Sequence, residues 1–217
     1  MDDQGWIPLI TEKQILQISD GLIFVGRKKL GIDPSGEGDD TTRWVMRDRF
    51  MAKVIATEST SNEKTIAKKT HDIIKEYDLN PSDVVIDNFG VGANVAKELL
   101  ILDHKMAVVS INWGEEADDT SVYQNKRAEC HFRGREWLIR GGAIVGDETK
   151  RDIVAVAYKN NLSGKKQIMD KPNLKKRLGR SPDRGDAFFL TFYEAEPVEV
   201  AGDVNQFNTL TDPHSAI

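Results

Sequence analysis

Four aspartates lie where predicted strands end or a predicted helix begins, and carboxylates at such positions can bind metal ions. Asp33 and Asp87 each end a short apolar segment, while Asp183 and Asp186 lie three residues apart at the start of a predicted helix. Carboxylates packed within a few ångströms raise one another's pKa unless cations neutralise them. Mg²⁺ and Mn²⁺ prefer hard oxygen ligands, and two such ions roughly 4 Å apart can promote hydrolysis of a phosphodiester. Taken alone, Asp33 could be an ordinary turn acid; the other acids favour a metal site.

The elements that must position these acids follow the order βββ-α-β-α-β. We expect strands at about residues 29–33, 43–48, 51–57, 84–87 and 106–111. The short spacings among the first three imply antiparallel neighbours, whereas the continuous apolar character of the fourth is typical of a central parallel strand. Right-handed crossovers place the fourth strand beside the first. The ends of those two strands, and with them Asp33 and Asp87, are therefore expected to be neighbours.

The N-terminal segment predicts a short amphipathic helix. Thr11 and Gln14 have the spacing of a capping box, and Ile15, Leu16 and Ile18 would form the buried side of the helix that follows.

The C-terminal half predicts mainly helices and one hairpin. Helical patterns occupy residues 123–140 and 147–156, and a β-hairpin with a polar turn is expected at 158–169. The final helix should begin with Ser181 as the N-cap and Pro182 in the first position. Residues 197–217 are polar and lack periodicity, so we expect a loosely ordered tail.

A basic run lies beside the final helix, although the net charge of the chain is only −5. We interpret its members as candidate DNA-binding residues that would hold phosphates without reading bases. These residues are Lys165, Lys166, Lys175, Lys176, Arg177, Arg180 and Arg184. The alternative is a solvated basic face, since charge runs are often no more than that.

Length and composition favour one domain with short appendages, because 217 residues can bury one sizeable core. A single cysteine, Cys130, excludes an internal disulfide framework and fits a reducing compartment. There is neither an apolar run of 18 residues nor a basic-then-apolar leader, so we expect a soluble protein without a targeting segment. His131 directly follows Cys130, which is a poor metal spacing, and a packing role is expected.

Four motifs in order resemble the nuclease domain of tailed-bacteriophage large terminase subunits, over about residues 6–195. They are Gly31–Gly36 with Gly38–Thr41, Val85–Asp87 with Gly90–Gly92, Tyr123–Glu129, and Lys175–Ala187. The resemblance implies an α/β fold of the ribonuclease-H-like type, with a mixed five-stranded sheet of three antiparallel and then two parallel strands, flanking helices and an extra β-hairpin. It also implies an endonuclease that cuts concatemeric viral DNA during genome packaging, with Asp33, Asp87, Asp183 and Asp186 as catalytic residues and ligands of two Mg²⁺ or Mn²⁺ ions.

The same resemblance implies partners and a domain plan. The partners would be double-stranded DNA, an ATPase motor domain, a small terminase subunit and a portal, in the cytoplasm of the infected bacterial host. The sequence has no phosphate-loop motif, so we expect residues 1–27 to join a missing ATPase domain to a nuclease domain at 28–196, followed by the tail.

Three alternatives stay open. A junction resolvase or recombinase on the same fold would keep the acids and metals and differ in substrate. A non-catalytic DNA-binding or assembly module would hold the acids in structural ion pairs. A nucleotide-binding α/β domain is a third. Asp39 is a further acid in the first hairpin, and we expect it to be a turn residue.

Overall fold

A mixed seven-stranded sheet forms the centre of the molecule in the computed structural model, which describes residues 5–36 and 41–194. In chain order the described strands are β1 (Ile7–Pro8), β2 (Leu16–Ile18), β3 (Lys29–Asp33), β4 (Thr42–Arg47), β5 (Met51–Glu58), β6 (Val84–Asp87), β7 (Val109–Ile111), β8 (Ala143–Val145), β9 (Ala157–Asn160) and β10 (Lys166–Ile168). The large sheet has the order β2-β8-β5-β4-β3-β6-β7, and β1, β9 and β10 form a separate three-stranded sheet.

Helices cover both faces of the large sheet. They are α1 (Glu63–Glu76), α2 (Gly92–Leu102), α3 (Lys126–Ile139), α4 (Asp147–Ala155), α5 (Lys171–Leu178) and α6 (Asp183–Leu190). None of the helices in the described part of the chain has both the length and the apolar character needed to cross a lipid bilayer.

The predicted five-stranded centre is confirmed. Strands β3, β4 and β5 are antiparallel neighbours, and β6 and β7 continue the sheet in parallel beyond β3. The prediction of five strands is nevertheless too few, because β8 and β2 extend the sheet beyond β5, both in parallel pairings. Each of these two strands has three residues, too few to show an alternating pattern in the sequence.

The predicted N-terminal helix is wrong. The capping box forms, with the Thr11 backbone N–H donating to Gln14 Oε1 at 2.9 Å, but it closes only a single 3₁₀ turn at Glu12–Gln14. The chain then enters β2, where Leu16 is half exposed rather than buried. A capping box favours a first turn without requiring a second, and pairing with β8 satisfies the backbone of the following residues.

Alternation along β3 separates core from site. Leu30 and Ile32 point into the core beneath α1 and α2, so Gly31 and Asp33 point to the opposite face, where α6 packs. A Cβ atom on Gly31 would lie 2.0 Å from the carbonyl oxygen of Ala187. This close approach, which only glycine permits, brings the first turn of α6 over the end of β3.

Candidate active site

Four buried carboxylates converge at one edge of the sheet, as the sequence predicts. Asp33 ends β3, Asp87 ends the adjacent parallel strand β6, and Asp183 and Asp186 lie in the first turn of α6. All four side chains belong to residues no more than 9 % exposed. Aspartate is rarely buried without a cation or hydrogen-bond donors, so the four acids require partners at this edge.

The start of α6 is capped from a distance, and the prediction of Ser181 as its N-cap is wrong. Pro182 is the residue in the N-cap position, with no side-chain capping bond. Instead, Asp152 of α4, itself fully buried, accepts the backbone N–H groups of Arg184 and Gly185 at 3.2 and 3.3 Å. The Asp152 carboxylate thus caps α6 in place of the predicted Ser181 hydroxyl, and it fixes the turn that carries Asp183.

One ammonium group lies among the acids. Lys171 Nζ is 3.1 Å from Asp186 Oδ2 and 3.5 Å from Asp33 Oδ2. Arg127 approaches the other side of Asp186, with its guanidinium 3.8 Å from Oδ1, while donating to the Met169 carbonyl at 2.8 Å. These two cations occupy the positive side of a cluster in which the acids would otherwise repel one another.

The electrostatics divide the four acids. Burial, opposed by Lys171 and reinforced by the other three aspartates, raises the pKa of Asp33 well above its ordinary value. Burial also raises the pKa of Asp87, although the Phe89 backbone N–H donates to its Oδ1 at 3.1 Å. Asp186 is as deeply buried, yet Lys171 and then Arg127 outweigh that burial and lower its pKa. The raised pKa values of Asp33 and Asp87 indicate that Lys171 and Arg127 do not fully offset the cost of burying these carboxylates.

The donor set fits a hard divalent cation, with one condition. Among the residues that the structure describes, no three His, Cys, Asp or Glu side chains form a group that could hold a metal ion as they stand. The Lys171 ammonium contacts both Asp33 and Asp186 and supplies positive charge where a cation bound by these acids would lie.

A cleft of about 490 Å³ opens onto the acids. Asp33, Asp87 and Asp183 line it together with Lys171, Lys175 and the turn after β6. Phe89 in that turn is 88 % exposed. The turn is tight, since a Cβ atom on Gly92 would lie 1.7 Å from the Asp87 carbonyl oxygen. Glycine at this position therefore lets the chain fold back beside Asp87 and leave the cleft open.

The structure separates the seven candidate DNA-binding residues. Lys175, Arg180 and Arg184 line a second cavity next to Asp183. Lys165 and Lys166 belong instead to the hairpin region of β9 and β10, where Lys166 Nζ lies 4.4 Å from the centre of the Phe132 ring. Lys176 and Arg177 are exposed on α5.

Two residues near the acids were given no role by sequence reasoning. Lys171 is not among the candidate DNA-binding residues, although it lies within the basic run, and Arg43 is not among the candidates either. Arg43 lies on β4 directly opposite Asp33 in the antiparallel register, so a correct hairpin register was the one signal that could have found it.

His131 and Cys130 pack in the core. The His131 ring is fully buried and stacks on Phe189 with ring centres 3.9 Å apart, and its Nδ1 lies 2.7 Å from the Arg127 carbonyl oxygen. Burial lowers the pKa of His131 to about 3, so the ring is neutral. Asp39 lies outside the described residues.

Comparison with known proteins shows a shared fold. No protein-family model matches the sequence, and no curated protein matches it. Among solved structures, the nuclease domain of the large terminase subunit of bacterial virus Sf6 matches with a TM-score of 0.72 and 17 % identity, over 87 % of this chain and 100 % of that one. A mutant of the same domain solved with manganese and beta-thujaplicinol gives 0.72 and 16 %, with the same coverage. The large terminase nuclease of thermophilic phage G20c with bound magnesium gives 0.55 and 12 %, over 83 % and 93 %. The predicted ribonuclease-H-like fold, and the resemblance to terminase nuclease domains at the level of fold, are confirmed.

Proposed function

We propose that this chain is a metal-dependent DNA endonuclease that cuts concatemeric viral DNA during genome packaging, using two Mg²⁺ or Mn²⁺ ions. One observation carries the proposal: Asp33 and Asp186 contact the Lys171 ammonium at the edge of a cleft that Asp33, Asp87 and Asp183 line. The fold shared with phage terminase nucleases, some solved with manganese or magnesium, supports it.

Each acid would have a distinct part. Asp33 and Asp186 already share one positive charge, that of Lys171, and are the pair best placed to bind a cation between them. Asp87 and Asp183 also line the cleft and would complete the ligand set. When bound, the two ions would activate a water and stabilise the oxygen that leaves the phosphodiester.

Lys171 would act as an exchangeable counter-ion. Its side chain is 40 % exposed, whereas Asp33 and Asp186 are almost fully buried, so the lysine can swing toward solvent while the acids stay fixed. In the cleft it would then be close to the phosphate backbone of the bound strand. This exchange would keep the acids neutralised both before and after metal binds.

The proposal extends to the domain plan and partners. We propose residues 28–196 as the nuclease domain, residues 1–27 as the joint to an ATPase motor domain, and 197–217 as a tail that lies outside the described residues. Trp6, Leu9 and Ile15 of the joint are buried in the core, so its first part would be anchored on the nuclease. Double-stranded DNA, the small terminase subunit and the portal would be its partners, in the cytoplasm of the infected host.

Plasmid degradation tests the activity. Supercoiled plasmid is incubated with the protein in Mg²⁺, Mn²⁺ or EDTA, beside Asp33→Asn and a control, Asp72→Asn, whose carboxylate is 59 % exposed on α1. We expect cleavage in either metal, none in EDTA, at least a 100-fold loss in Asp33→Asn and no loss in the control.

The outcomes also separate the alternatives. A preference for four-way junctions over linear and supercoiled duplex would favour a resolvase. Equal behaviour of the wild type and Asp33→Asn, with duplex binding intact, would favour a non-catalytic module and contradict the proposal.

A further inference from the structure

A second cavity, of about 490 Å³, lies directly beside the acid cluster and is lined by positive side chains. Arg43, Lys175, Arg180 and Arg184 form its wall, together with Ser181 and Asp183. Asp183 and Lys175 also line the acidic cleft. The two cavities therefore share a wall, and one extended ligand could contact both the acids and the arginines.

The Arg43 side chain has an unpaired hydrogen-bond donor. Because it is paired with Asp33 across β3 and β4, its side chain leaves the same face of the sheet as that acid. Its Nη1 donates to Thr57 Oγ1, but its Nε is buried without a partner. Among the described residues no carboxylate lies within ion-pair distance of it, and burial followed by the nearby Arg184 lowers its pKa. An added anion would stabilise a half-buried guanidinium in this state, because it would accept the unused hydrogen bond and offset the charge.

Ion pairs hold the two neighbouring guanidinium groups in place. Arg180 pairs with the buried Asp152 at 2.6 Å, and Arg184 pairs with Glu148. These ion pairs fix both guanidinium groups at the wall of the cavity and still leave further N–H donors on each, since a guanidinium carries five. The Ser181 hydroxyl is a further buried group without a partner. The cavity thus presents guanidinium N–H donors that ion pairs hold in place, beside the carboxylate of Asp183.

We propose that this cavity binds a backbone phosphate of the DNA strand adjacent to the phosphate that is cut, with Arg43 as its principal contact. A phosphodiester suits the site because arginine forks match its oxygens, and the shared wall at Asp183 places such a phosphate next to the acids. The inference rests on the proposed nuclease function for its ligand. It adds a specific phosphate site, built partly from β4, to the general basic surface expected from the sequence.

The experiment measures duplex binding in EDTA, which does not depend on cleavage. Affinity for a 20-base-pair duplex is determined between 50 and 200 mM KCl for the wild type, Arg43→Gln, Arg43→Lys and Arg49→Gln. Arg49 is the matched control, because it lies on the same β4–β5 hairpin at the end remote from Asp33. Melting temperatures within about 2 °C of the wild type establish that each variant is folded.

We expect Arg43→Gln to weaken binding on the order of tenfold at 100 mM KCl and to reduce the slope of log K against log salt by about 0.9, the value for one phosphate. Arg43→Lys, which retains the charge, and Arg49→Gln should keep the wild-type slope. An unchanged slope in Arg43→Gln would overturn the proposal, as would equal losses in Arg43→Gln and Arg49→Gln, which indicate diffuse surface charge.

A second measurement locates the phosphate. Duplexes carrying one neutral methylphosphonate at a varied position are cut in Mn²⁺, and we expect wild-type cleavage to fall when the neutral linkage lies at a fixed short distance from the cut. Arg43→Gln should lose this sensitivity at that distance alone; an unaltered pattern would count against the site. If the wild type cuts nothing while the salt slopes behave as expected, the nuclease proposal fails and the phosphate site stands.

Discussion

Replacing Lys171 by alanine tests the view that its ammonium stands in for metal. At 3.1 Å from Asp186 Oδ2, the attraction between unit charges is about 5 kcal/mol at an effective dielectric constant near 20 and about 1.3 kcal/mol in bulk water. Because the lysine side chain is 40 % exposed, solvent screening places its contribution between these limits. We expect Lys171→Ala in EDTA to lose about 2–3 kcal/mol, which lowers the melting temperature by about 4–12 °C for a chain of this size.

Metal should reverse that loss. In the wild type a divalent ion must displace an ammonium worth about 2–3 kcal/mol, whereas the variant offers the same acids without a competitor. We therefore expect Mn²⁺ to raise the melting temperature of Lys171→Ala more than that of the wild type. The half-saturating Mn²⁺ concentration should be about 30- to 150-fold lower, from the same free energy.

The effect should also depend on pH. Lys171 lowers the pKa of Asp186, so the stabilisation of that pair is present above the unfolded pKa of aspartate and is lost as pH falls through the lowered folded value. Without the lysine, Asp186 accepts a proton more readily, and the difference between the two proteins should narrow as pH falls below the unfolded aspartate pKa of about 3.9.

Lys176→Ala is the matched control, because Lys176 lies exposed on the same helix and its replacement removes the same charge. It should change neither the stability in EDTA nor the response to Mn²⁺. Equal stabilities of Lys171→Ala and the wild type in EDTA, together with equal metal responses, would refute the view that Lys171 balances the acids.

Three further substitutions test the elements around the site. Gly31→Ala should lower the free energy of unfolding by about 3 kcal/mol or more in urea titrations, because its Cβ would meet the Ala187 carbonyl at 2.0 Å; a cost below about 1 kcal/mol would contradict the close contact. Asp152→Ala should cost about 3–5 kcal/mol, since it removes the cap of α6 and the partner of Arg180, and cleavage should fall even at temperatures where the variant is folded. His131→Phe should keep the ring stacking and bind Mn²⁺ as the wild type does. Because the folded pKa of His131 is lowered to about 3, the wild type loses stability as pH falls from about 6.5, by up to about 1.4 kcal/mol per pH unit. Acid titrations of stability should show a smaller loss in His131→Phe, and an identical profile would count against a buried neutral ring.

The sequence predicts the centre of this fold because strands β3 to β6 are long enough to carry a pattern. Apolar runs ending in Asp33 and Asp87, together with right-handed crossovers, suffice to place both acids at one sheet edge. The short strand β8 carries no such pattern, and β2 was mistaken for a helix because a capping box describes only the first turn. Local signals identify where an element starts, and pairing across the sheet decides what it becomes.

The contacts that organise the site are mostly non-local, which is why sequence reasoning missed them. Asp152 reaches α6 from α4, more than thirty residues away in the chain. Arg43 lies beside the site only because the β3–β4 register places it opposite Asp33. Each of these residues is unremarkable in its own segment, since a helix acid and a strand arginine are ordinarily solvated. Their roles follow from burial, which no local window of sequence reports.

Helical periodicity explains why the basic run does not behave as one surface. Lys171 and Lys175 lie four residues apart on α5 and so share a face, and that face lines the acidic cleft. Lys176 and Arg177 fall outside it and are exposed. After α5, Gly179 adopts φ of 72° and turns the chain, and Arg180 then pairs with Asp152. Lysines adjacent in sequence thus lie on different faces of the helix: Lys171 and Lys175 line the acidic cleft, whereas Lys176 is exposed.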